Sequence, residues 1–302
     1  MSAARARPAA TAPPAGGPLG AHVSVAGGVA RCAERATAIG ATAVQIFTKA
    51  PSQWKEPAVD AATAEAFRAA VQAAGLAPHL VVHDSYLINL ASPDATLRDR
   101  SIAAFTGELR RCIALGVPWL VSHPGNFMDD HAAGLRRNAE AIGRCLADAP
   151  GATVVCLETT AGTGTALGRT FEELAELRAR VPAAELGRIA FCADTCHLFS
   201  AGYDLREGFD AVWSRFDDVL GLDSLKVLHL NDSKTPFASR KDRHELIGEG
   251  SLGPEPFRRL MQDPRFARVI KIIETPKGDD EVTLDRRMLR RLRTYARGAA
   301  PA

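Results

Sequence analysis

The sequence lacks several features that would place it in a special class of protein. It has no uninterrupted apolar run near the roughly 18 residues that a membrane-spanning helix requires, and its N-terminus carries two arginines without the apolar segment of a secretory signal. None of its six cysteines forms a CxxC pair. These absences predict a cytoplasmic protein with reduced thiols, neither inserted in a membrane nor held together by disulfide bonds.

An excess of charge of one sign is also missing. The formal net charge is +2, and the isoelectric point is near 8.3. This weakly basic balance does not by itself indicate a polyanionic partner, so nucleic-acid binding would need a local positive field or metal ions. The 302 residues, 46% hydrophobic and 24% charged, have the composition of an ordinary soluble protein with enough material for a large core.

The chain divides into a short tail and one long domain. Residues 1–18 are rich in Ala, Pro and Gly and are expected to be disordered, because such a segment buries little apolar surface. Residues 19–298 are expected to form a single catalytic domain, in which eight apolar strand candidates alternate with eight helical patterns. This alternation predicts a parallel sheet, and eight units predict a closed TIM (β/α)8 barrel with its active site at the C-terminal ends of the strands.

Two of the helical patterns carry more specific predictions. Thr170 and Glu173 predict a capping box at the start of a helix over residues 171–181. The last helix, near residues 280–297, has an apolar stripe, so its many arginines are interpreted as a solvated face.

The segment VLHLNDS, at residues 227–233, sets His229 near the end of an apolar run. A single histidine beside a strand is more often a satisfied core residue than a ligand. The arrangement recurs, however, because other apolar runs also end on residue types that bind metals. With His229 these residues are His83, His123, Glu158, Asp194, His197 and Glu274. Buried carboxylates are costly unless they are paired, so the repetition predicts cations at the strand ends.

Two more candidates, Asp242 and His244, lie two residues apart in the long loop after the seventh strand and can project to one side of an extended segment. They complete a set of nine nitrogen and oxygen donors, which suits zinc, with manganese as an alternative. Nine donors are too many for one ion and suffice for two or three if a carboxylate bridges. Such ions can activate water against a phosphodiester. The residues alone fit either a metallohydrolase or a metal-assisted isomerase.

Eight sequence strings resemble the endonuclease IV family of apurinic/apyrimidinic (AP) DNA endonucleases. In chain order they are GAHVSVAGG, HDSYLINLASP, HPGNF, LETTAGTGTALG, ADTCHLFSAGYDLR, HLNDSK, SRKDRHELIGEG and IIETP, and they run from residue 20 to about 275. The resemblance implies a TIM barrel with three zinc ions, manganese being possible at one position. It also implies cleavage of the phosphodiester 5′ to an abasic site in double-stranded DNA, which leaves a 3′-hydroxyl and a 5′-deoxyribose phosphate. Removal of blocking groups from 3′ ends is implied as well.

The resemblance assigns the nine donors to three zinc ions. The first would bind His83, His123 and Glu158, the second Glu158, Asp194, His229 and Glu274, and the third His197, Asp242 and His244. Glu158 would thus bridge two ions and is the expected catalytic residue. As a hypothesis, the ions would activate hydroxide and stabilise the leaving oxygen.

The resemblance also implies that six residues contact DNA: Gln53, Trp54, Tyr86, Leu87, Arg240 and Arg243. Tyr86 and Leu87 match a wedge that fills the gap when the abasic nucleotide leaves the stack, although Tyr86 on its own would be interpreted as an ordinary packed aromatic. Arg240 and Arg243 are expected at phosphates, with surface solvation as the alternative. The protein is expected to act as a monomer.

One position departs from the family pattern. Ser52 stands where a member of the family carries an arginine that enters the base stack, and serine is too short to do so. The neighbouring Gln53 and Trp54 match. The departure leaves open how this loop engages a lesion.

Two rival functions remain. A sugar isomerase or epimerase on a related barrel needs only two ions, for which four of the donors would suffice: Glu158, Asp194, His229 and Glu274. The added His197, Asp242 and His244 argue against this rival. A non-catalytic protein that binds damaged DNA would have no need of three metal ions.

Overall fold

The computed structural model of the protein describes residues 15–298. Within this range, eight parallel strands close into a barrel. The barrel strands are β1 (Leu19–His22), β2 (Ala43–Ile46), β3 (Leu80–His83), β4 (Trp119–Ser122), β5 (Val154–Glu158), β6 (Ile189–Asp194), β7 (Leu225–His229) and β10 (Ile270–Ile273). After β7, the two short strands β8 (Asp232–Ser233) and β9 (His244–Glu245) pair in an antiparallel hairpin. The predicted TIM barrel is confirmed.

The predicted tail falls mostly on residues 1–14, which lie outside the described residues. Residues 15–18 are described, and the carbonyl of Pro18 accepts a hydrogen bond of 2.9 Å from the backbone N–H of Lys271. This contact places the chain against the N-terminal end of β10 before β1 begins.

The helices lie outside the barrel. In the described part of the chain they are α1 (Arg31–Ile39), α2 (Ala61–Ala73), α3 (Ala95–Leu115), α4 (His131–Asp148), α5 (Phe171–Arg180), α6 (Thr195–Ala201), α7 (Phe209–Leu220), α8 (Glu255–Gln262) and α9 (Thr283–Ala296). The short α6 follows β6 directly and precedes α7, so one unit has two helices. Among the described helices, none combines the length and the apolar character needed to cross a membrane.

Side-chain caps explain where several helices begin. Asp60, Asp94 and Asp130 each accept a hydrogen bond from the backbone N–H three residues further on. Thr170 does the same for Glu173, at 3.2 Å. The Glu173 carboxylate, however, reaches further back than in a simple capping box, since it accepts from the N–H groups of residues 168 and 169 at 2.8 and 2.9 Å.

The α9 arginines do more than form a solvated face, because three of them donate hydrogen bonds to backbone carbonyls. Arg286 donates to the carbonyl of Ala38 at 2.6 Å, and Arg293 donates to the carbonyl of Gly40. These contacts satisfy carbonyls at the C-terminus of α1. Arg291 donates to the carbonyl of Ile247. The side chains therefore tie α9 to neighbouring segments.

Two apolar layers hold the barrel together. The smaller fills its interior and consists of Ala43, Val81, Val121, Cys156, Ala190, Cys192, Val227, Ile270 and Ile272. The larger packs between strands and helices. Pairing of β6 with β7 shifts register beside Cys192, so that one extra residue of β7 is accommodated and Asp194 lies opposite His229. The irregularity brings two of the predicted donors together.

Candidate metal centre

The barrel directs most of the predicted donors to one mouth. His83, Glu158, Asp194 and His229 are the last residues of β3, β5, β6 and β7. Glu274 directly follows β10. Because the strands are parallel, their C-terminal ends lie at the same end of the barrel, and the side chains converge there.

The first group surrounds one oxygen of Glu158, whose side chain is fully buried. His83 Nε2 and His123 Nε2 each lie 3.2 Å from Glu158 Oε2. One donor atom from each of the three residues lies within 4.8 Å of the others. A divalent ion coordinated by all three would fit this arrangement.

The second group surrounds His229. Its Nδ1 lies 2.8 Å from the other oxygen of Glu158, Oε1, and 3.4 Å from Glu274 Oε2. Asp194 Oδ2 lies 4.0 Å from the same nitrogen. Asp194, His229 and Glu274 form a second set whose donor atoms lie within 4.8 Å. Glu158 therefore faces both groups, one oxygen to each.

The third group depends on α6. Asp194 caps this helix by accepting from the backbone N–H of His197 at 2.9 Å, so the chain turns helical at once and His197 points back to the mouth. His197 Nε2 lies 3.2 Å from Asp242 Oδ2, and His244 Nε2 lies 3.0 Å from Asp242 Oδ1. Asp194, His197 and His244 also form a set within 4.8 Å. Asp194 thus adjoins both the second and third groups.

The donors fit divalent cations. The Nε2 atoms of His197 and His244 are buried and face Asp242 at 3.2 and 3.0 Å without the geometry of a hydrogen bond, which is costly for polar atoms unless something coordinates them. Cys192 and Cys196 lie nearby, and burial raises the pKa of both thiols, that of Cys196 to about 11, so both are neutral in the metal-free protein. The centre therefore offers imidazole and carboxylate donors, which suit zinc or manganese.

The charges of these groups are strongly coupled. Burial lowers the pKa of an imidazole, but the hydrogen bond and charge of Glu158 outweigh burial and raise the pKa of His83 to about 10. Nearby aspartates likewise raise the pKa of His244 to about 9. At His123 burial dominates and lowers the pKa to about 4. The Glu158 carboxyl, despite its burial, has a pKa well below its usual value because His229 is close. Without metal, protons on some histidines balance the carboxylates.

A glycine shapes the loop after His123. Gly125 has φ +84°, and a Cβ there would lie 2.4 Å from Asn89 Oδ1. That oxygen accepts from the N–H of Asn126 at 2.9 Å. The close approach of the two loops therefore requires glycine.

Tyr86 and Leu87 lie on the rim above His83. Tyr86 is 71% exposed, and its ring lies edge-on to Phe47 with centroids 5.3 Å apart. It is therefore not an ordinary packed aromatic. Leu87 is half-buried. A cavity of about 760 Å³ runs past Tyr86 and His123. An exposed aromatic beside an open cavity is available to a ligand.

Gln53 and Trp54 lie in the loop between β2 and α2. Ser52 and Gln53 are exposed, while Trp54 is half-buried beneath the guanidinium of Arg100, 4.4 Å from its ring centroid. The carboxylate of Glu56 anchors the same loop.

This anchor is an ion-pair network. Glu56 pairs with Lys49 and Arg111, whose side chains are 2% and 5% exposed. Arg111 also pairs with the buried Glu108 at 2.7 Å. Because Arg111 and Glu108 belong to α3, the network attaches the loop to this helix.

Arg240 and Arg243 lie in the segment between β8 and β9, and both are exposed. Arg240 has φ +55°, and its carbonyl accepts from the hydroxyl of Thr163 at 2.7 Å. Arg243 and Lys241 line the 760 Å³ cavity next to the third group. Asp84 and Asp242 line the same cavity, so its two cationic side chains suit an anionic ligand once bound metal ions balance these carboxylates.

Two buried amides that hold the donors in place are absent from the sequence prediction. Asn231 donates to Asp194 Oδ2 at 2.6 Å and accepts from the backbone N–H of Glu274 at 2.8 Å. Gln45, in β2, contacts both His229 and Glu274. A polar residue inside the apolar run AVQI was the available signal for Gln45, and Asn231 follows His229 by two residues. Neither is a metal-type ligand, so the pattern of ligand residues at strand ends does not include them.

Comparisons with known proteins agree with the fold. A family model described as a xylose isomerase-like TIM barrel matches residues 33–294. A probable endonuclease 4 from Chloroflexus aurantiacus is 49% identical over 285 residues, covering 93% of this chain and 99% of the relative. The crystal structure of endonuclease IV from Thermus thermophilus superimposes with a TM-score of 0.83 at 37% identity, covering 93% of this chain and all of that one. A D-tagatose 3-epimerase-like protein shares the fold at 15% identity and a TM-score of 0.66, covering 93% of this chain and 97% of its own.

Proposed function

The chain belongs to the endonuclease IV family of xylose isomerase-like TIM barrels, and from this premise we propose that it is a DNA-repair AP endonuclease. It would hydrolyse the phosphodiester 5′ to an abasic site in double-stranded DNA and leave a 3′-hydroxyl. It would also remove blocking groups from 3′ ends. Three zinc ions per chain, with manganese possible at one position, would be its cofactors.

The observation that carries this proposal is the third donor group. A sugar epimerase on the same fold needs only the ions around Glu158 and His229. Here Asp242 brings His197 and His244 together at 3.2 and 3.0 Å, directly beside the cavity lined by Lys241 and Arg243. A further cation next to these two basic side chains suits a phosphodiester, which carries negative charge through the reaction.

Individual side chains of the protein would have distinct roles in this reaction. Glu158 would be shared by two ions, since its oxygens face different groups. Lys241 and Arg243 would bind DNA phosphates, and Tyr86 with Leu87 would occupy the gap left by the displaced nucleotide. When bound, the ions lower the pKa of a water molecule and neutralise charge on the phosphate.

Gln53, Trp54 and Arg240 are proposed DNA contacts as well. Gln53 and the short Ser52 are exposed on a loop that Glu56 fixes, so this loop would meet DNA as a rigid surface and not as an inserting side chain. Arg240 is exposed in the segment between β8 and β9. Both segments would contact the DNA backbone.

The test is to incubate the zinc-loaded protein with three substrates: a duplex with one abasic site, the same duplex undamaged, and a ketose. We expect nicking of the abasic duplex alone, with products carrying a 3′-hydroxyl. A duplex with a blocked 3′ end tests the second activity. Turnover of the ketose without nicking would establish the epimerase alternative, and tight binding of abasic DNA with neither reaction would establish a non-catalytic binder.

A further inference from the structure

Gln45 is a buried amide whose hydrogen bonds all end on residues at the barrel mouth. It lies in β2 opposite His22 of β1, and none of its surface is exposed. Its Nε2 lies 2.6 Å from Glu274 Oε1 and 2.9 Å from His22 Nδ1. Its Oε1 lies 2.8 Å from His229 Nε2. One side chain therefore connects β1, β2, β7 and the end of β10.

The chemistry of the partners fixes the orientation of this amide. A carboxylate only accepts hydrogen bonds, so the NH₂ group of Gln45 must face Glu274. The amide oxygen then faces His229, and because that oxygen only accepts, His229 must carry a hydrogen on Nε2. The second N–H of the amide points to His22 Nδ1, which must accept. The network is consistent in one arrangement only.

This arrangement prepares His229 as a ligand. In the metal-free centre Nδ1 of His229 donates to Glu158 at 2.8 Å and lies 3.4 Å from Glu274. When an ion displaces that hydrogen, the hydrogen held on Nε2 leaves Nδ1 free to present its lone pair. Metal-binding histidines characteristically donate their other N–H to an acceptor that fixes the tautomer. Gln45 supplies that acceptor and simultaneously orients the carboxylate of Glu274.

We propose that Gln45 is a positioning residue that sets the tautomer of His229 and the orientation of Glu274 for the ion they share. The inference rests on the proposed function for the presence of that ion. Gln45 lies behind both donors and touches no substrate. Its effect should therefore appear in metal binding before it appears in catalysis.

The first experiment measures zinc affinity in Gln45→Met, which keeps the length of the side chain and removes all three hydrogen bonds. Gln262→Met is the control, because it makes the same change where the amide donates to the carbonyl of Tyr295, in the helical layer. Competition with a chromophoric chelator should show one zinc bound 10–100-fold more weakly in Gln45→Met and an unchanged control. Affinities within about twofold of the parent at every site would overturn the proposal.

The second experiment uses the parent protein and does not depend on how a variant folds. The side-chain ¹⁵N resonances of His229 are recorded in the zinc-loaded protein. A hydrogen on Nε2 with zinc on Nδ1 is expected, and a hydrogen on Nδ1 with zinc on Nε2 would overturn the proposal.

Nicking of abasic DNA by the parent separates the two proposals. A parent that does not nick, while Gln45→Met loses zinc, refutes the nuclease and leaves the role of Gln45. A parent that nicks, while Gln45→Met keeps all its zinc, supports the nuclease and refutes the role of Gln45.

Discussion

Zinc binding should expel protons from the metal-free centre, and His83 should supply one of them. In the absence of metal, Nδ1 of His83 donates to the carbonyl of Asp84 at 2.9 Å, and Nε2 donates to Glu158 at 3.2 Å. The pKa of His83 is about 10, so the ring is protonated at pH 7. An ion that binds Nε2 must displace that proton. At pH 7 the displacement costs about 4 kcal/mol, from three pH units at 1.36 kcal/mol each.

The direction in which zinc affinity changes with pH follows from the raised pKa of His83. Below pH 10 the proton competes with the ion, so the zinc affinity of this group should rise about tenfold per pH unit between pH 7 and 9 for the His83 proton alone. His244, with a pKa of about 9, adds a second such proton for the third group. His123, with a pKa of about 4, is already neutral and adds none.

Calorimetry in buffers of different ionisation enthalpy counts the released protons. In the metal-free protein, ¹⁵N spectra at pH 7 should show His83 as an imidazolium and His123 as neutral. His83→Gln should remove the titration near pH 10, whereas His123→Gln should leave it. Zinc binding that releases no protons at pH 7, or a neutral His83 ring at that pH, would refute the reasoning.

Three further predictions concern other residues. Glu158→Gln should leave the barrel folded, as judged by circular dichroism, but lower nicking by more than the 10–100-fold typical of a residue behind the ligands, since both ions lose a carboxylate; near-normal activity would exclude a bridging role. Ser52→Ala should change kcat and KM for abasic DNA by less than about twofold, because the exposed side chain is short; a large loss would show that Ser52 contacts the lesion. Lys271 is buried, and burial lowers its pKa to about 8, so the folded protein binds this proton less tightly than the unfolded chain. Urea unfolding should therefore show the parent gaining about 3 kcal/mol relative to Lys271→Met between pH 8 and 10.5, and a parent that instead loses stability relative to the variant would contradict this.

The alternation of apolar runs and helical patterns was sufficient to predict the barrel, because each unit repeats the same local signals. Element ends were less accurate. The pattern at residues 26–40 predicts a helix, but the helix begins at Arg31, since Gly27 and Gly28 have positive φ and the chain enters the helix only after them. The contact of Arg286 with the carbonyl of Ala38 is not predictable from the sequence, because only the packing of α9 on α1 brings the two together.

For the candidate site, too, the sequence predicts the residue types better than their arrangement in space. Residues of ligand type at strand ends could be listed from the sequence, since their chemistry is a property of each residue. Their grouping follows from the sequence only through the family resemblance, because it depends on the register shift between β6 and β7 that sets Asp194 opposite His229. Gln45 was missed for a similar reason. Its importance lies in the three partners that barrel closure brings to it, and the nearest of these in the chain, His22, is 23 residues away.

The pairing of Glu158 with histidines bears on how the protein matures in a cell. Its two oxygens already have imidazole partners in the metal-free barrel, at 2.8 and 3.2 Å, so no bare negative charge is enclosed when the strands close. The newly made chain can thus fold first, and it can release these protons and bind metal afterwards. A shortage of metal in the growth medium would then yield intact but inactive barrels, which later supplementation could restore.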